Sequence, residues 1–295
     1  MRGLYRLTLM YRRIRARFLL RRALAAVDRF PCVTPQENHA LPAPLIVTLT
    51  SYPPRFPDLA KTLRSLLDQT LAADNVQLWV AHDDAAQLPN DVRALEKHGL
   101  EIKTSEDMRS YKKLIPALKE RPDCFYVTAD DDVYYPPEWL AGLVAAQKAH
   151  PGSVIATRSH MAHRDEDGRL APYETWELAA SQTENRDDGR VLFPTGVGGI
   201  LYPPGCFAEE VLDRDLFMKL CPRGDDIWFF WMARKAGTQH RRTPDHFDIV
   251  DWPNSQDVAL AAQNLYSDGN DSQIRAMEAH FGPVPDVPID EGRAS

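Results

Sequence analysis

The apolar positions of this chain change rhythm along its length. Leu4, Leu7, Tyr11, Ile14 and Phe18 follow the 3-4-3-4 spacing of one helical stripe, and Arg2, Arg6, Arg13 and Arg17 lie off it. Residues 31–44, PCVTPQENHALPAP, read as a proline-rich linker. LIVTLT (45–50) is then a short β-branched run typical of a buried strand. Pro57 and Asp58 suit the first turn of a helix whose inward face is Leu59, Leu63, Leu66 and Leu67. VQLWVAH (76–82) predicts a second strand running into Asp83-Asp84. After it come a helix near 90–98, a weak strand near Leu100–Lys103, a helix from Tyr111 to Lys119 and a strand at CFYVTA (124–129).

Strands alternating with long helical segments predict an α/β fold with a mostly parallel central sheet flanked by helices, its ligands at the carboxyl ends of the strands. Beyond the midpoint the rhythm loosens. PEWLAGLVAAQKAH (137–150) predicts a helix and SVIATR (153–158) a strand, while 161–190 is a polar surface excursion of the length that often carries function. GVGGILYPP (196–204) predicts a glycine-led strand, DDIWFFWMARKAG (225–237) a helix and 256–281 one or two more. The expected organisation is a basic amphipathic helix over 1–30, a linker over 31–44, one domain over 45–281 and a disordered tail over 282–295.

Charge sharpens this division. The 295 residues sum to −7, but residues 1–30 hold nine arginines against Asp28, so the arm carries +8 and the remainder −15. So acidic a body argues against nucleic-acid binding, which rests on phosphate neutralisation. Arginines interrupt every apolar run in the arm, which excludes a secretory signal or a membrane span. The arm is expected to lie on an anionic membrane surface, each arginine contributing roughly 1 kcal/mol. A helix packed on the domain or on a partner subunit, or a transit peptide, would show the same spacing. Cys32, Cys124, Cys206 and Cys221 have no CxxC spacing, so reduced thiols and a cytoplasmic location, at the inner face of the membrane, are expected.

The densest chemistry is Asp130-Asp131-Asp132, at the carboxyl end of a strand. Three carboxylates so close repel one another, and a divalent cation with oxygen ligands relieves the repulsion. A solvated acidic turn is the simpler alternative. The cluster has company, however. VTLTSYPPRFPDLAKTLRSLLDQTL (47–71), YVTADDDVYYPPEWL (126–140) and GDDIWFFWMARKAG (224–237) together resemble, in family order, the glycosyltransferases of GT-A fold, close to family 2-like enzymes.

The resemblance implies a Rossmann-like domain transferring a sugar from a nucleotide-sugar to a glycolipid or polysaccharide acceptor, with Mn2+ or Mg2+ as cofactor. It implies nucleotide contacts at Thr50, Ser51, Tyr52 and Asp83, with Asp130 and Asp131 near the donor and Lys113 at its diphosphate or base. Asp132, with Asp130, would hold the metal, and His246 matches a late metal-binding histidine. Asp226, with Asp225 beside it, matches the general base of inverting members; an N-cap is the structural alternative for either. Trp176 is an acceptor-side candidate, and Gly196, Gly198 and Gly199 would let the backbone approach the donor sugar or acceptor, a turn into a strand being the simpler alternative. No Gln-x-x-Arg-Trp motif or membrane span is apparent, so a single addition is expected rather than polymerisation. Two rivals remain: a HAD-like phosphohydrolase using the same Asp-x-Asp, and a non-catalytic membrane-associated sugar-binding protein of this fold.

Overall fold

In a computed structural model of the chain, residues 2–35, 37–184, 190–245, 248–253 and 269–287 are described. The mixed sheet at its centre has seven strands. Four are parallel: β2 (Leu45–Thr50), β4 (Asn75–Ala81), β5 (Leu100–Ser105) and β6 (Phe125–Ala129), in the spatial order β6-β2-β4-β5. β10 (Ile200–Tyr202) lies antiparallel to both β6 and β7 (Val154–Ala156), and β11 (His240–Arg242) runs parallel to β7 at the edge. The fold is thus α/β with a mostly parallel central sheet, as the alternation predicted. The antiparallel β10 escaped that pattern, because three apolar residues look alike in either direction.

Helices cover both faces of the sheet. On one, α2 (Phe56–Leu67) and α5 (Trp139–Ala149) pack Leu59, Leu63, Leu66, Leu140 and Leu143 over Leu45, Val47, Leu78 and Val127. On the other, α4 (Ile115–Glu120), α6 (Arg214–Leu220), α7 (Asp225–Lys235) and α8 (Gly269–Phe281) share a larger cluster. Its centre is Trp228, Phe229, Phe230 and Trp231, with Phe217 and Met277. α7 is apolar nearly all round, as befits a helix enclosed in the core.

The structure refines several boundaries. The helix expected at 90–98 is split into α3 (Asn90–Arg93) and a 3-10 turn over Ala94–His98. The helix expected from Tyr111 is a 3-10 turn at Arg109–Lys113, and α4 begins only at Ile115, with Pro116 in its first turn. Within 31–44, β1 (Glu37–Asn38) pairs with β3 (Leu71–Ala72), and the Cys32 and Val33 amides donate to Asp68. That segment is therefore pinned, because its amides find acceptors on the body. The excursion is likewise anchored, through the hairpin of β8 (Ser159–Ala162) with β9 (Val191–Pro194). Past Gly282 the chain stays ordered as far as Val287: Val284 and Val287 are buried, and Arg164 holds the Val284 carbonyl and Asp286. The rest of the expected tail lies outside the described residues, as does 254–268.

The arm is the helix α1 (Arg2–Asp28), whose second half packs on the body and whose Arg15 pairs with Asp248. Ala23 and Val27 are buried against Val250 and Trp252, with Leu19, Leu20 and Leu24 around them. Of the predicted stripe, Tyr11, Ile14 and Phe18 point the other way, with Met10 beside them. Met10, Tyr11, Ile14 and Phe18 are 55%, 66%, 58% and 58% exposed.

Candidate active site

Each site residue follows an element that ends at one edge of the sheet. Ser51, just past β2, donates its hydroxyl to Asp131 at 2.5 Å, and the Asp130 amide donates to the Tyr135 hydroxyl at 2.8 Å. The turn after β6 is braced from below. Thr62 of α2 donates to the carbonyls of Asp131 and Val133, at 3.0 and 3.1 Å, and accepts from the Trp252 indole at 2.8 Å. The Trp252 amide in turn donates to the Asp132 carbonyl at 3.1 Å. Three adjacent acids are held in one geometry by neighbours from three distant segments.

Two cations serve this cluster. Arg55, in the turn after β2, donates to Asp132 and lies 3.8 Å from Asp131. Lys113 reaches Asp225 at 2.7 Å and Asp130 at 3.7 Å, so it bridges the strand-end acids to those that open α7. Ser110 donates to the other Asp225 oxygen at 2.8 Å. Asp226 takes a different partner, the Gly196 amide at 2.8 Å. Gly224 is the N-cap of α7, so neither acid caps it, and both occupy the first turn, where the helix dipole favours negative charge.

Crowding shapes the protonation states. Burial, with Asp225 alongside, pushes the Asp226 carboxyl up to about 7. Burial and the charge of Asp132 likewise push Asp131 up to about 7. Asp130 rises for the same desolvation reason, against the pull of Lys113. Burial would discharge Lys113, but Asp225 and Asp130 outweigh it and keep the ammonium protonated.

The residues expected from the sequence fall into two groups. Ser51, Lys113, Asp130, Asp131, Asp132, Asp225 and Asp226 converge. Thr50, Tyr52 and Asp83 lie along the same carboxyl edge: the Thr50 hydroxyl is spent on the Trp79 carbonyl, while Asp83 is exposed past the end of β4. Trp176 is no platform: it is buried in the core against Phe193 and Tyr173, its indole donating to the Ala171 carbonyl. Gly198 and Gly199 serve Trp139 instead. The Gly198 carbonyl accepts from its indole at 2.6 Å, and a Cβ on Gly199 would lie 2.6 Å from the ring. The glycine that faces the site is Gly196, whose Cβ would come within 2.9 Å of Asp226 and 3.1 Å of Lys113. His246 lies outside the described residues. Arg55, Ser110 and Thr62 escaped sequence reasoning. Only the Arg within YPPRF gave a signal, as a cation in the loop after the first long strand.

The residues present fit a divalent cation by charge. Six carboxylates, counting Asp251, whose carboxyl is raised by burial and by Asp132, share two cations. Protonation of Asp131 and Asp226 only partly removes the excess, and an ion at Asp132 and Asp130 would remove more. Among the described residues no three His, Cys, Asp or Glu side chains are already drawn together as a ligand set, because Arg55 and Lys113 take their oxygens.

No family model and no curated protein matches the chain by sequence. Solved structures do match by shape. The mannosyltransferase PcManGT from Pyrobaculum calidifontis, solved with GDP-Man and Mn2+, is 16% identical over 95% of this chain and 76% of its own, with a TM-score of 0.50. TarS 1-349 of S. aureus is 17% identical over 69% of this chain and 59% of its own, with a TM-score of 0.42. The Asp-x-Asp here ends the fourth long strand in chain order, not the first as a HAD-like hydrolase would need. Strand order, the acids at the end of β6 and the likeness to the first of these structures agree: this chain has the GT-A glycosyltransferase fold.

Proposed function

We propose that the protein is a divalent-metal-dependent glycosyltransferase that moves a sugar from a nucleotide-sugar donor to a hydroxyl on a glycolipid or polysaccharide acceptor, with inversion and by single addition. The convergence of Asp130–Asp132 at the end of β6 with Asp225 and Asp226 at the start of α7 carries this reading. One acid group belongs to the leaving diphosphate and the other to the attacking hydroxyl. Such opposition suits displacement at a sugar carbon. The mannosyltransferase of similar fold was solved with its nucleotide-sugar and Mn2+, which supports the same donor class here.

The roles follow from position. Thr50, Ser51 and Tyr52 line the end of β2, where the nucleotide would lie, and Asp83 stands at the end of the neighbouring β4, in reach of its base. Asp132 and Asp130 would hold Mn2+ or Mg2+, which when bound stabilises the negative charge growing on the leaving diphosphate. Arg55, now on Asp132, would be free to meet a phosphate if Asp132 held a metal. Lys113 stays on Asp225 and holds it in place. Asp226, poised near neutrality, accepts the proton of the acceptor hydroxyl, and Gly196 fixes its carboxylate. A catalytic base with a pKa near the working pH balances availability against strength.

The site is tested by screening nucleotide-sugars with Mn2+ for thermal stabilisation and nucleoside diphosphate release. Asp132→Ala should lose metal-dependent turnover by about 100-fold or more while folding normally. Asp226→Asn should bind donor and metal as the parent does, yet lose transfer by roughly 100-fold to 10,000-fold. Parent-like turnover in both variants would sink the assignment, and release of inorganic phosphate would favour a hydrolase.

The exposed stripe of α1 supports attachment to an anionic lipid surface. Arg13, Arg17 and Arg21 are exposed around it, while Arg15 pairs with Asp248 at 2.6 Å and Arg22 lies 5.8 Å from the Phe18 ring centre. Among the described residues no helix is long and apolar enough to cross a membrane. The lower half of α1 packs on Trp252, which braces the Asp132 carbonyl, so deleting the arm would disturb the site. The cleaner test is Ile14→Asp with Phe18→Asp, which should abolish pelleting with phosphatidylserine vesicles and leave turnover on soluble acceptors unchanged. Undiminished pelleting would refute attachment by this face.

A further inference from the structure

Among the described residues, many buried and half-buried cations are neutralised by a carboxylate, whereas Arg64 and Arg242 are half-buried with none in ion-pair distance, Arg242 donating to the Ser181 and Gln182 carbonyls. Lys112 pairs with Asp107, Lys113 with Asp225, Arg55 with Asp132 and Arg241 with Glu184. Arg234 has no carboxylate, but it lies at the far end of α7 from Asp226 and donates to the Pro285 carbonyl at 2.9 Å. Arg158 is the exception beside the active site. It is half-buried just past the carboxyl end of β7, and among the described residues no carboxylate is within ion-pair distance of its guanidinium.

Its placement is specific. Arg158 donates to the Thr195 hydroxyl at 3.1 Å, and the Thr195 amide donates back to the Arg158 carbonyl at 3.1 Å. The next amide along, that of Gly196, is the one bound to Asp226. The guanidinium and the proposed base thus bind adjacent residues of one backbone segment, Thr195 and Gly196. Of the five N–H donors of an arginine, one is used here, which leaves a forked face for a planar or tetrahedral anion. Tyr173 forms the wall nearby: half-buried, stacked at 4.7 Å on Trp176, and close enough to Asp226 and Arg158 for both charges to act on its hydroxyl. Burial lowers Arg158 from its ordinary range, and the charges of Tyr173 and Asp226 offset this only in part.

Resting on the transferase reading, we propose that Arg158 binds an anionic group of the acceptor, a carboxylate or a phosphate, and so holds the attacking hydroxyl against Asp226. The acceptor class narrows accordingly to acidic sugars or phosphate-bearing polyols and lipids. In that reading the donor's anions are met by Arg55 and the metal that the acids hold, so a further cation beside the loop that binds Asp226 serves a second negative charge.

The test titrates the full chain by calorimetry with paired probes, methyl β-D-glucuronide against methyl β-D-glucoside and glycerol 3-phosphate against glycerol, with and without UDP or GDP and Mn2+. In the parent, one anionic member should bind at least about tenfold more tightly than its neutral mate, and which pair discriminates tells carboxylate from phosphate. Arg158→Gln should erase that preference and Arg158→Lys keep part of it, with circular dichroism and nucleotide binding unchanged. Equal binding of both members to the parent would overturn the proposal. So would preference surviving in Arg158→Gln, displacement of the anion by nucleotide, or an equal loss for charged and neutral probes, the mark of a mere counterion to Asp226. Because the anion curve is also read without nucleotide, failure of nucleotide and Mn2+ to bind would count against the transferase reading alone.

Discussion

The two sides of Asp226 are built on different electrostatic principles. On the donor side, Asp130, Asp131, Asp132 and Asp225 crowd around Arg55 and Lys113, and each cation is committed to at least two acids. On the side proposed for the acceptor, Arg158 donates to the Thr195 hydroxyl, and among the described residues no acid lies within ion-pair distance of it. An excess of one sign calls for a ligand of the other. The contrast is what the proposals of a metal among the acids and an anion at Arg158 rest on.

The largest way to break this contrast is at Lys113. Lys113→Met leaves Asp225 and Asp130 buried without their cation and should destabilise the fold by about 3–5 kcal/mol, a loss on the order of 10 °C in thermal unfolding. Arg158→Gln strands no acid and should cost less than about 1 kcal/mol in the same melt. Equal losses for the two variants would dissolve the distinction between a structural and a ligand-directed cation.

The next effect separates the two glycine positions. Gly199→Ala meets the rigid Trp139 ring and the Thr128 carbonyl at a φ of +99°, so a loss of about 3 kcal/mol is expected, with little change in the site's affinity for Mn2+ and nucleotide. Gly196→Ala meets only Asp226 and Lys113 side chains, which can shift. It should cost about 1–2 kcal/mol in unfolding but should reduce transfer more than donor binding. Transfer at the parent rate in Gly196→Ala would show that Asp226 needs no fixed amide.

The smallest effect is a pH dependence. The folded-state pKa of Asp226, about 7, lies above that of an unfolded aspartate, so its contribution to stability is full below about pH 4 and is lost as pH rises through 7. Asp226→Asn removes that loss. Without metal, its stability relative to the parent should therefore rise by roughly 2 kcal/mol between pH 5 and pH 8. The difference between variant and parent is the useful measure, because buried His160 and His240, both held neutral by desolvation, pull each separate curve the other way below pH 6.5. Parallel curves would show that Asp226 is ionised throughout.

The donor half was largely legible because its information is local. LIVTLT, VQLWVA and FYVTA are single apolar runs, and Asp130–Asp132 follow one of them directly, so strand, edge and acids could be read together. The acceptor half was not. Trp176 sits in a polar stretch yet is drawn into the core by Phe193 and Tyr173, and among GVGG it is Gly196 that faces Asp226 while Gly198 and Gly199 meet Trp139. Nothing in their neighbourhoods along the chain distinguishes these positions, since the contacts that do so come from α5 and α7.

The basic arm divides in the same way. Its helix and its basic charge are properties of residues 1–30, set by their spacing and composition. Which face is free depends on Trp252 and Val250, more than two hundred residues away, which cover Ala23 and Val27 and leave Ile14 and Phe18 outside. By itself the sequence determined the periodicities, and through them the α/β class, the strand that ends in three aspartates and the helix that opens with two. Only the tertiary structure decided which charges meet. Hydrophobic pattern is a one-dimensional signal with a fixed period, whereas the pairing of Lys113 with Asp225, of Arg55 with Asp132, and the solitude of Arg158 depend on how distant segments close around a common edge.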